Sequence, residues 1–460
     1  MMSEIIFDSD LIRRYDKAGP RYTSYPTAVQ FHTDFSIGDY RVQVEASNAS
    51  GRDLSLYFHI PFCDTICFFC GCNKIATKDR SRAEPYLRRV YKELAMQSEL
   101  FDPDRKVRQL HWGGGTPTFI SHAEMRELMK VTRQYFNLAD DSKGEYSIEI
   151  DPREATAETI AILREVGFNR MSLGVQDFDP GVQKAVNRIQ SEEKTYAVME
   201  AARKEGFHSV SLDLIYGLPH QSLSTFSATL EKVLAMNPDR LSVFNYAHLP
   251  EIFKPQRRIN ESDLPRADEK LAILKSTIET LIAAGYVYIG MDHFAKPDDE
   301  LAMAQANGLL YRNFQGYSTH ADCDLVALGV TSIGMVGDCY VQNLKPMDDY
   351  TARIDNDDLA IFRGISLSTD DLLRRAVINQ LICHFVLDFA DIEQRFKISF
   401  EDYFSRELED LRPMMDDGLV DISGRRITVS SPGKLLIRNI CMVFDIYLRN
   451  KTGQRFSKVI

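Results

Sequence analysis

Cys63, Cys67, Cys70 and Cys72 fall within ten residues, in the stretch His59-Ile60-Pro61-Phe62-Cys63-Asp64-Thr65-Ile66-Cys67-Phe68-Phe69-Cys70-Gly71-Cys72. The C-x3-C-x2-C spacing of the first three lets thiolates from a single loop converge on one inorganic centre. Thiolates are soft ligands suited to iron–sulfur clusters. If only three of four irons take a protein ligand, the fourth is open to a small molecule, and the loop predicts a redox enzyme. Structural zinc usually draws two ligand pairs from separate segments, which four thiols on one short loop fit poorly. Cys72 is either a fourth ligand, closing the open iron, or a bystander. The aromatic side chains of Phe58, Phe62, Phe68 and Phe69 would keep water from the centre and help set its potential. The other cysteines (323, 339, 383 and 441) are scattered, unlike the disulfide framework of a small secreted chain.

The elements that must position this loop belong to an ordinary globular protein. The chain has 460 residues, 44% hydrophobic and 26% charged. No stretch approaches the roughly 20 apolar residues of a membrane-spanning helix. The N-terminal MMSEIIFDSDLIRRYDKAGP has no apolar core followed by a small-residue cleavage site, so it is not a signal peptide. A cytoplasmic protein without a membrane span is expected. The net charge of −11 with no basic tract argues against a nucleic-acid partner, but a few local arginines could still bind an anionic substrate.

From about residue 53 to 293, short apolar runs alternate with amphipathic helical stretches. The runs are 54–60, 107–112, 146–151, 170–176, 209–217, 240–247 and 286–294; AEPYLRRVYKELAMQSEL and AETIAILREVGF are among the helical stretches. Strand–helix repeats imply a parallel sheet with helices outside. The number of units falls short of a closed eight-stranded barrel, so the α/β fold class expected is a partial, open parallel β/α barrel. His59, Gly113 to Gly115, Glu149, Gln176, Asp213, Asn245 and Asp292 stand where the core runs stop, at the rim that carries sites in such barrels. Polar residues also mark ordinary loops, but their recurrence at one rim favours a site. After about residue 365 the pattern turns mainly helical. LSTDDLLRRAVINQLICHF opens with a Ser/Thr cap, and the hairpin-like pair GLVDI and RITVS is joined at Ser423-Gly424. The expected division is an N-terminal arm (1–50), the barrel (51–300), a bridging segment completing the site (301–364) and a helical, winged-helix-like C-terminal domain (365–460).

C-x3-C-x2-C after the first strand of a partial barrel resembles the radical S-adenosylmethionine (SAM) enzymes. In series, HIPFC, CxFCGCNK, HWGGGTPT, IEIDPRE, GVQDF, NR, DLIYGLP, FNYAHLP, MDHFA, NFQGY and the terminal FSKVI resemble the oxygen-independent coproporphyrinogen III oxidase (dehydrogenase) family of haem biosynthesis. Thr319-His320-Ala321 departs from the Thr-Gln-Gly of other members. The resemblance implies a [4Fe-4S] cluster on Cys63, Cys67 and Cys70, with Cys72 a non-ligand. It implies two SAM molecules per chain, one on the open iron with Tyr57, Gly114, Glu149 and Ile333. The second would meet Phe69, Gly115, Thr116, Gln176, Arg188, Asp213 and Ala247. These residue types suit such contacts. Glycine admits close backbone approach, Asp213 can hold ribose hydroxyls or an ammonium, and Phe69 can pack on adenine. Ile333 and Ala247 could equally be core, and Arg188 an ion pair.

The reaction implied converts two propionates of coproporphyrinogen III to vinyl groups through a 5′-deoxyadenosyl radical, giving protoporphyrinogen IX without oxygen. The electron donor and acceptor are unidentified by sequence, and a monomer is expected. In the arm, Arg21 lies between Pro20 and Pro26 in GPRYTSYPTA; it either pairs with a substrate propionate or belongs to a strap stiffened by proline. The rival function is that of a haem-trafficking relative, which keeps the cluster motif and binds haem. The PRYTSYP arm and the residues for a second SAM favour the enzyme.

Overall fold

The computed structural model describes residues 5–320 and 323–450. Ala321 and the terminal FSKVI motif lie outside the described residues. The chain forms two compact units that interleave along the sequence: within the described residues, one comprises 31–270 and 323–366, the other 5–30, 271–320 and 367–450.

The first unit is built on one sheet. Its strands are β1 Leu54–Ile60, β2 Lys106–Gly114, β3 Glu145–Ile150, β4 Arg170–Gln176, β5 Ser209–Tyr216, β6 Arg240–Asn245, β7 Asp324–Leu328, β8 Ile333–Val336, β9 Cys339–Asn343 and β10 Ile361–Ser366. Their order is β6-β5-β4-β3-β2-β1-β7-β8-β9-β10. Every pairing from β6 to β7 is parallel, and β8, β9 and β10 continue antiparallel. Helices α1 Ile37–Ser50, α2 Ala83–Ser98, α3 His122–Tyr135, α4 Ala157–Glu165, α5 Glu192–Lys204 and α6 Leu223–Ala235 precede or link the first six strands. Each linking helix buries one stripe, as Tyr86, Leu87, Val90 and Leu94 do in α2. Their starts are set by side chains: Ser121, Thr156 and Ser222 each accept from the backbone N–H three residues on, satisfying a donor the helix cannot. Leu54, Leu56, Phe58 and Ile60, which share one face of β1, are all at most 1% exposed, and Ser55 and His59 on the other face are buried as well, as expected of a central parallel strand covered on both faces.

The expected strand at 286–294 is instead an antiparallel hairpin, Val287–Gly290 with His293–Ala295, in the second unit. Its turn at Met291, with φ of 54°, reverses the chain. The parallel neighbour on the free side of β1 is β7. Its pattern, DLVAL, is short and lacks a following helix, so periodicity alone did not reveal it.

In the second unit, Ser368 caps the helix Thr369–His384 in a reciprocal box with Asp371, as the Ser/Thr signal predicts. The C-terminal hairpin pairs Val420–Ser423 with Arg426–Val429, and Val386–Asp388 adds a third strand. Its turn residues Gly424 and Arg425 both have positive φ, 57° and 62°, the conformation that matches strand twist in a two-residue turn. The arm is tied down here. Arg438 donates to the carbonyls of Gly19 and Pro20, Tyr22 Oη donates to Asp445 at 3.0 Å, and Asn439 Nδ2 donates to the Tyr15 carbonyl at 2.8 Å.

The cysteine loop leaves β1 and is held by the glycine run ending β2. Gly115 N–H donates to the Ile60 carbonyl at 2.8 Å and Thr116 N–H to the Phe62 carbonyl at 2.7 Å. A Cβ on Gly115 would lie 2.7 Å from the Pro61 carbonyl carbon and the Phe62 carbonyl oxygen, and backbone cannot yield as a side chain tip can. Gly115→Ala is therefore expected to destabilise the protein by about 1–3 kcal/mol, the usual overpacking cost. Gly206→Ala, where a Cβ meets nothing within 4 Å and only the φ of 76° resists, should cost about 1 kcal/mol, the left-handed backbone cost alone. Denaturant unfolding of both variants checks the difference, and equal midpoints would rule out the backbone clash.

Candidate active site

The rim of the parallel strands opens on a cavity of about 330 Å³. The cysteine loop forms one wall. Its chain closes on itself where Phe62–Cys63 pairs with Ile75–Ala76, and Lys74 Nζ donates to the Cys70 carbonyl at 3.0 Å. The four aromatic residues fall into two pairs. Phe58 and Phe62 are core, Phe62 stacked on Phe119 with centroids 5.1 Å apart. Phe68 and Phe69 pack on a cluster of Val182, Val186, Leu218, Tyr246 and Ile259, and Phe69 also faces the cavity. The Gln256 amide donates to the carbonyls of Phe69 at 3.0 Å and Ala247 at 3.2 Å. With 2% of its surface exposed, this side chain ties the loop to the end of β6.

Cys63, Cys67 and Cys70 all face the cavity, as does Cys72. Among the described residues no group of His, Cys, Asp and Glu closes around a single point as one ion would require. The thiols are spread around a shared space, and their soft donor chemistry fits a polynuclear iron–sulfur group. Cations and donors surround them. Arg153 Nη2 and Arg188 Nη1 each lie 3.5 Å from Cys67 Sγ, and Thr116 Oγ1 lies 3.5 Å from Cys63 Sγ. Burial pushes the Cys63 thiol up to about 11, so a thiolate there needs a positive centre beside it. A hydrogen bond from Cys72 pulls Cys70 down, against burial and with help from Lys74.

Two carboxylates at the end of β3 set the charge of the cavity. Asp151 accepts from Arg153 at 2.7 Å and from Arg188 at 2.9 Å. Burial pushes its carboxyl up, but Arg188 and Arg153 together hold it below the usual range. Arg188 also donates to the Gly174 carbonyl at 2.6 Å. Glu149, whose side chain opens to the cavity, accepts from Gly114 N–H at 3.2 Å and stands 3.4 Å from His111 Nε2. The surrounding protein mass raises its carboxyl; the His111 contact and the Gly114 N–H outweigh that and keep it ionised. Gln176 sits at a break in the β4 register with φ of 67°, a strained conformation for a side chain that faces the cavity.

Of the residues expected in cofactor binding, Phe69, Gly114, Gly115, Thr116, Glu149, Gln176, Arg188 and Asp213 line this cavity. Tyr57, Ala247 and Ile333 lie outside its walls. Tyr57 stacks on His111 at 5.8 Å and its hydroxyl is 3.1 Å from His59 Nδ1. Ala247 reaches the loop through Gln256, and Ile333 opens β8 opposite Gln342. Arg21 belongs to the second unit, where it pairs with Asp292 at 2.8 Å. Sequence reasoning missed Lys74, Asp151, Arg153, Ser172 and Gln256. Asp151 and Arg153 stand in the IEIDPRE motif, directly after a strand end, which is the signal that could have found them. Gln256 lies in a loop without strand or helix periodicity.

Asp213 accepts from Ser172 Oγ at 2.7 Å, yet burial pushes its carboxyl up to about 6, with Glu149 adding to the rise. A folded-state value above that of the unfolded chain means that folding takes up a proton. Stability from this group is complete below about pH 4 and is lost as pH rises to about 6. Above that, ionised Asp213 costs on the order of 1–2 kcal/mol after allowance for the open cavity. Asp213→Asn should therefore gain stability over the wild type between pH 5 and pH 7.5. Unfolding midpoints at the two pH values measure this, and a pH-independent difference would contradict it.

Comparison with known proteins accounts for this arrangement. Residues 57–233 match the Radical SAM superfamily and residues 367–436 the HemN C-terminal domain. The chain is 56% identical over 460 residues, 100% of both chains, to an oxygen-independent coproporphyrinogen III oxidase of Pseudomonas aeruginosa. It is 51% identical over 460 residues, again 100% of both, to that of Escherichia coli. The solved structure of coproporphyrinogen III oxidase (HemN) from Escherichia coli, a radical SAM enzyme, superposes with a TM-score of 0.92 at 50% identity, covering 97% of this chain and 100% of that one. Likeness over the full length of these enzymes, in a chain whose rim cavity is walled by the thiols of the cysteine loop, identifies this protein as a member of the oxygen-independent coproporphyrinogen III oxidase family of radical SAM enzymes.

Proposed function

We propose that the protein converts two propionate side chains of coproporphyrinogen III to vinyl groups without oxygen, giving protoporphyrinogen IX in haem biosynthesis. The observation that carries the reading is full-length identity of 56% to an oxygen-independent coproporphyrinogen III oxidase, in a chain whose cavity is lined by Cys63, Cys67 and Cys70. When bound, a [4Fe-4S] cluster and SAM supply a 5′-deoxyadenosyl radical as hydrogen acceptor. Each propionate loses one hydrogen atom from its β-carbon, then carbon dioxide and one electron, and the remaining two carbons form the vinyl group. The electron donor and acceptor are unidentified proteins or small molecules, and the enzyme works as a cytoplasmic monomer. A haem-trafficking role is disfavoured, because the alignment to the oxidases includes the N-terminal arm.

The chain's own residues prepare this chemistry. Cys63, Cys67 and Cys70 hold the cluster while Cys72 stays unligated. Arg153 and Arg188 offset negative charge at the Cys67 sulfur. Glu149, kept ionised, would accept a hydrogen bond from the amino group of the cluster-bound SAM, with Tyr57, Gly114 and Ile333 around it. Phe69, Gly115, Thr116, Gln176, Arg188, Asp213 and Ala247 would receive a second SAM, and Arg21, paired with Asp292, adds positive charge for a substrate propionate.

Serine at Cys63, Cys67 or Cys70 is expected to abolish iron and sulfide loading after anaerobic reconstitution, whereas Cys72→Ser should load normally. Stoichiometric zinc without iron would overturn the cluster. The reaction itself is tested by following protoporphyrinogen from coproporphyrinogen III under anaerobic reducing conditions with SAM; no product from fully loaded enzyme refutes the assignment. Equilibrium dialysis with labelled SAM should find two molecules per wild-type chain. In Asp213→Ala, loss of a charge-assisted contact of roughly 1.5–3 kcal/mol should weaken one site about ten- to hundredfold. One site in the wild type would remove the second SAM.

A further inference from the structure

Arg312 is a buried cation whose guanidinium is only partly satisfied by the protein. It lies on the short strand Tyr311–Asn313, paired with Gly316–Ser318 in the second unit. The residue is 5% exposed, and its Nε and Nη1 are buried with no hydrogen-bond partner among the described residues. Burying an unpaired guanidinium is costly, and a matching anion removes that cost. Its orientation is built in. The guanidinium lies 4.7 Å from the Tyr317 ring centroid, and Tyr317 Oη donates to the Ile382 carbonyl at 3.2 Å. Gly290 makes room for that ring: a Cβ there would clash with the Tyr317 hydroxyl. Held against an aromatic face, the guanidinium keeps its N–H groups directed outward in its own plane.

The surroundings add positive potential. Arg438, 3% exposed, donates to the Gly19 and Pro20 carbonyls. Burial, then the like charge of Arg21, with Arg312 adding to it, push its guanidinium down to about 10. Arg21 is matched by Asp292. Asp445, another acid of this region, accepts from Tyr22 Oη. Arg438 is thus engaged by the arm and Arg21 by Asp292, whereas Arg312 has two buried nitrogens to offer a ligand.

We propose that Arg312 anchors a carboxylate of the tetrapyrrole substrate, with Arg21 and Arg438 supplying the surrounding positive potential. This rests on the reading of the protein as a coproporphyrinogen III oxidase, whose substrate carries four propionates. A carboxylate matches the need: it brings one negative charge and accepts from a guanidinium with good geometry.

The test is a fluorescence titration of the full-length, cluster-loaded protein with coproporphyrin III, the stable oxidised form of the substrate, and with its tetramethyl ester, which keeps the ring and lacks the charges. Wild type should bind the acid at least about tenfold more tightly than the ester, the worth of one charge-assisted contact. Arg312→Met should weaken acid binding about ten- to hundredfold and leave ester binding unchanged, so that the preference disappears. Arg312→Lys, which keeps the charge and loses the planar fork, should fall between. A variant that retains the wild-type preference, or loses acid and ester equally, overturns the anchor. The underlying reading fails separately, when loaded wild type makes no protoporphyrinogen from coproporphyrinogen III.

Discussion

Gly115 has room for no side chain, and most of the site depends on that. The end of β2 lies directly against the backbone that leaves β1, close enough for Gly115 and Thr116 to extend the ladder onto Ile60 and Phe62. The cysteine loop therefore begins as a continuation of the sheet rather than as a free excursion. Its first thiol, Cys63, is then fixed by the pairing with Ile75–Ala76, and its middle by Phe68 and Phe69 on an apolar cluster. A loop so constrained can present three sulfurs to one space at little entropic cost on binding a cofactor.

The same rim solves an electrostatic problem. Several thiolates around one centre repel one another and disfavour burial. Here Arg153 and Arg188 approach the Cys67 sulfur, and Asp151 holds both arginines in place. One buried carboxylate thus orients two cations, and the positive charge left over faces the sulfurs of the loop. Glu149, two residues before Asp151, stays ionised because Gly114 N–H and His111 outweigh the cost of its position. The glycine run serves twice: Gly115 by its missing Cβ, and Gly114 by its N–H.

In the second unit the N-terminal arm is part of the fold. Tyr22 and Tyr25 are 3% and 2% exposed, and Arg438, Asn439 and Asp445 meet the arm through its carbonyls and hydroxyls. A strap and a ligand-binding element are not exclusive. Arg438 is committed to the backbone of Gly19 and Pro20, which leaves the adjacent Arg21 side chain directed to Asp292. The backbone and tyrosines of the arm serve stability, and the Arg21 side chain adds an ion pair to Asp292.

Chain order and residue type by themselves determined the parallel core and the place of the chemistry. Apolar runs alternating with amphipathic helices, each ended by polar or glycine residues, prescribe strands whose C-terminal ends share a rim, because a parallel sheet must cross over through helices. The cysteine spacing was legible for the same local reason: all three cysteines of the motif lie on one loop. The strand β7, the hairpin at 287–295, the Asp151 clamp and the Gln256 bridge were decided by tertiary structure. Each depends on contacts beyond its own segment, such as Asp151 with Arg188 or Gln256 with Phe69, and no local period encodes such a pairing. Arg312 is the clearest case. In sequence it is one arginine among many; only packing takes it out of water and leaves two of its nitrogens unmatched, and that desolvation makes it a demand for an anion.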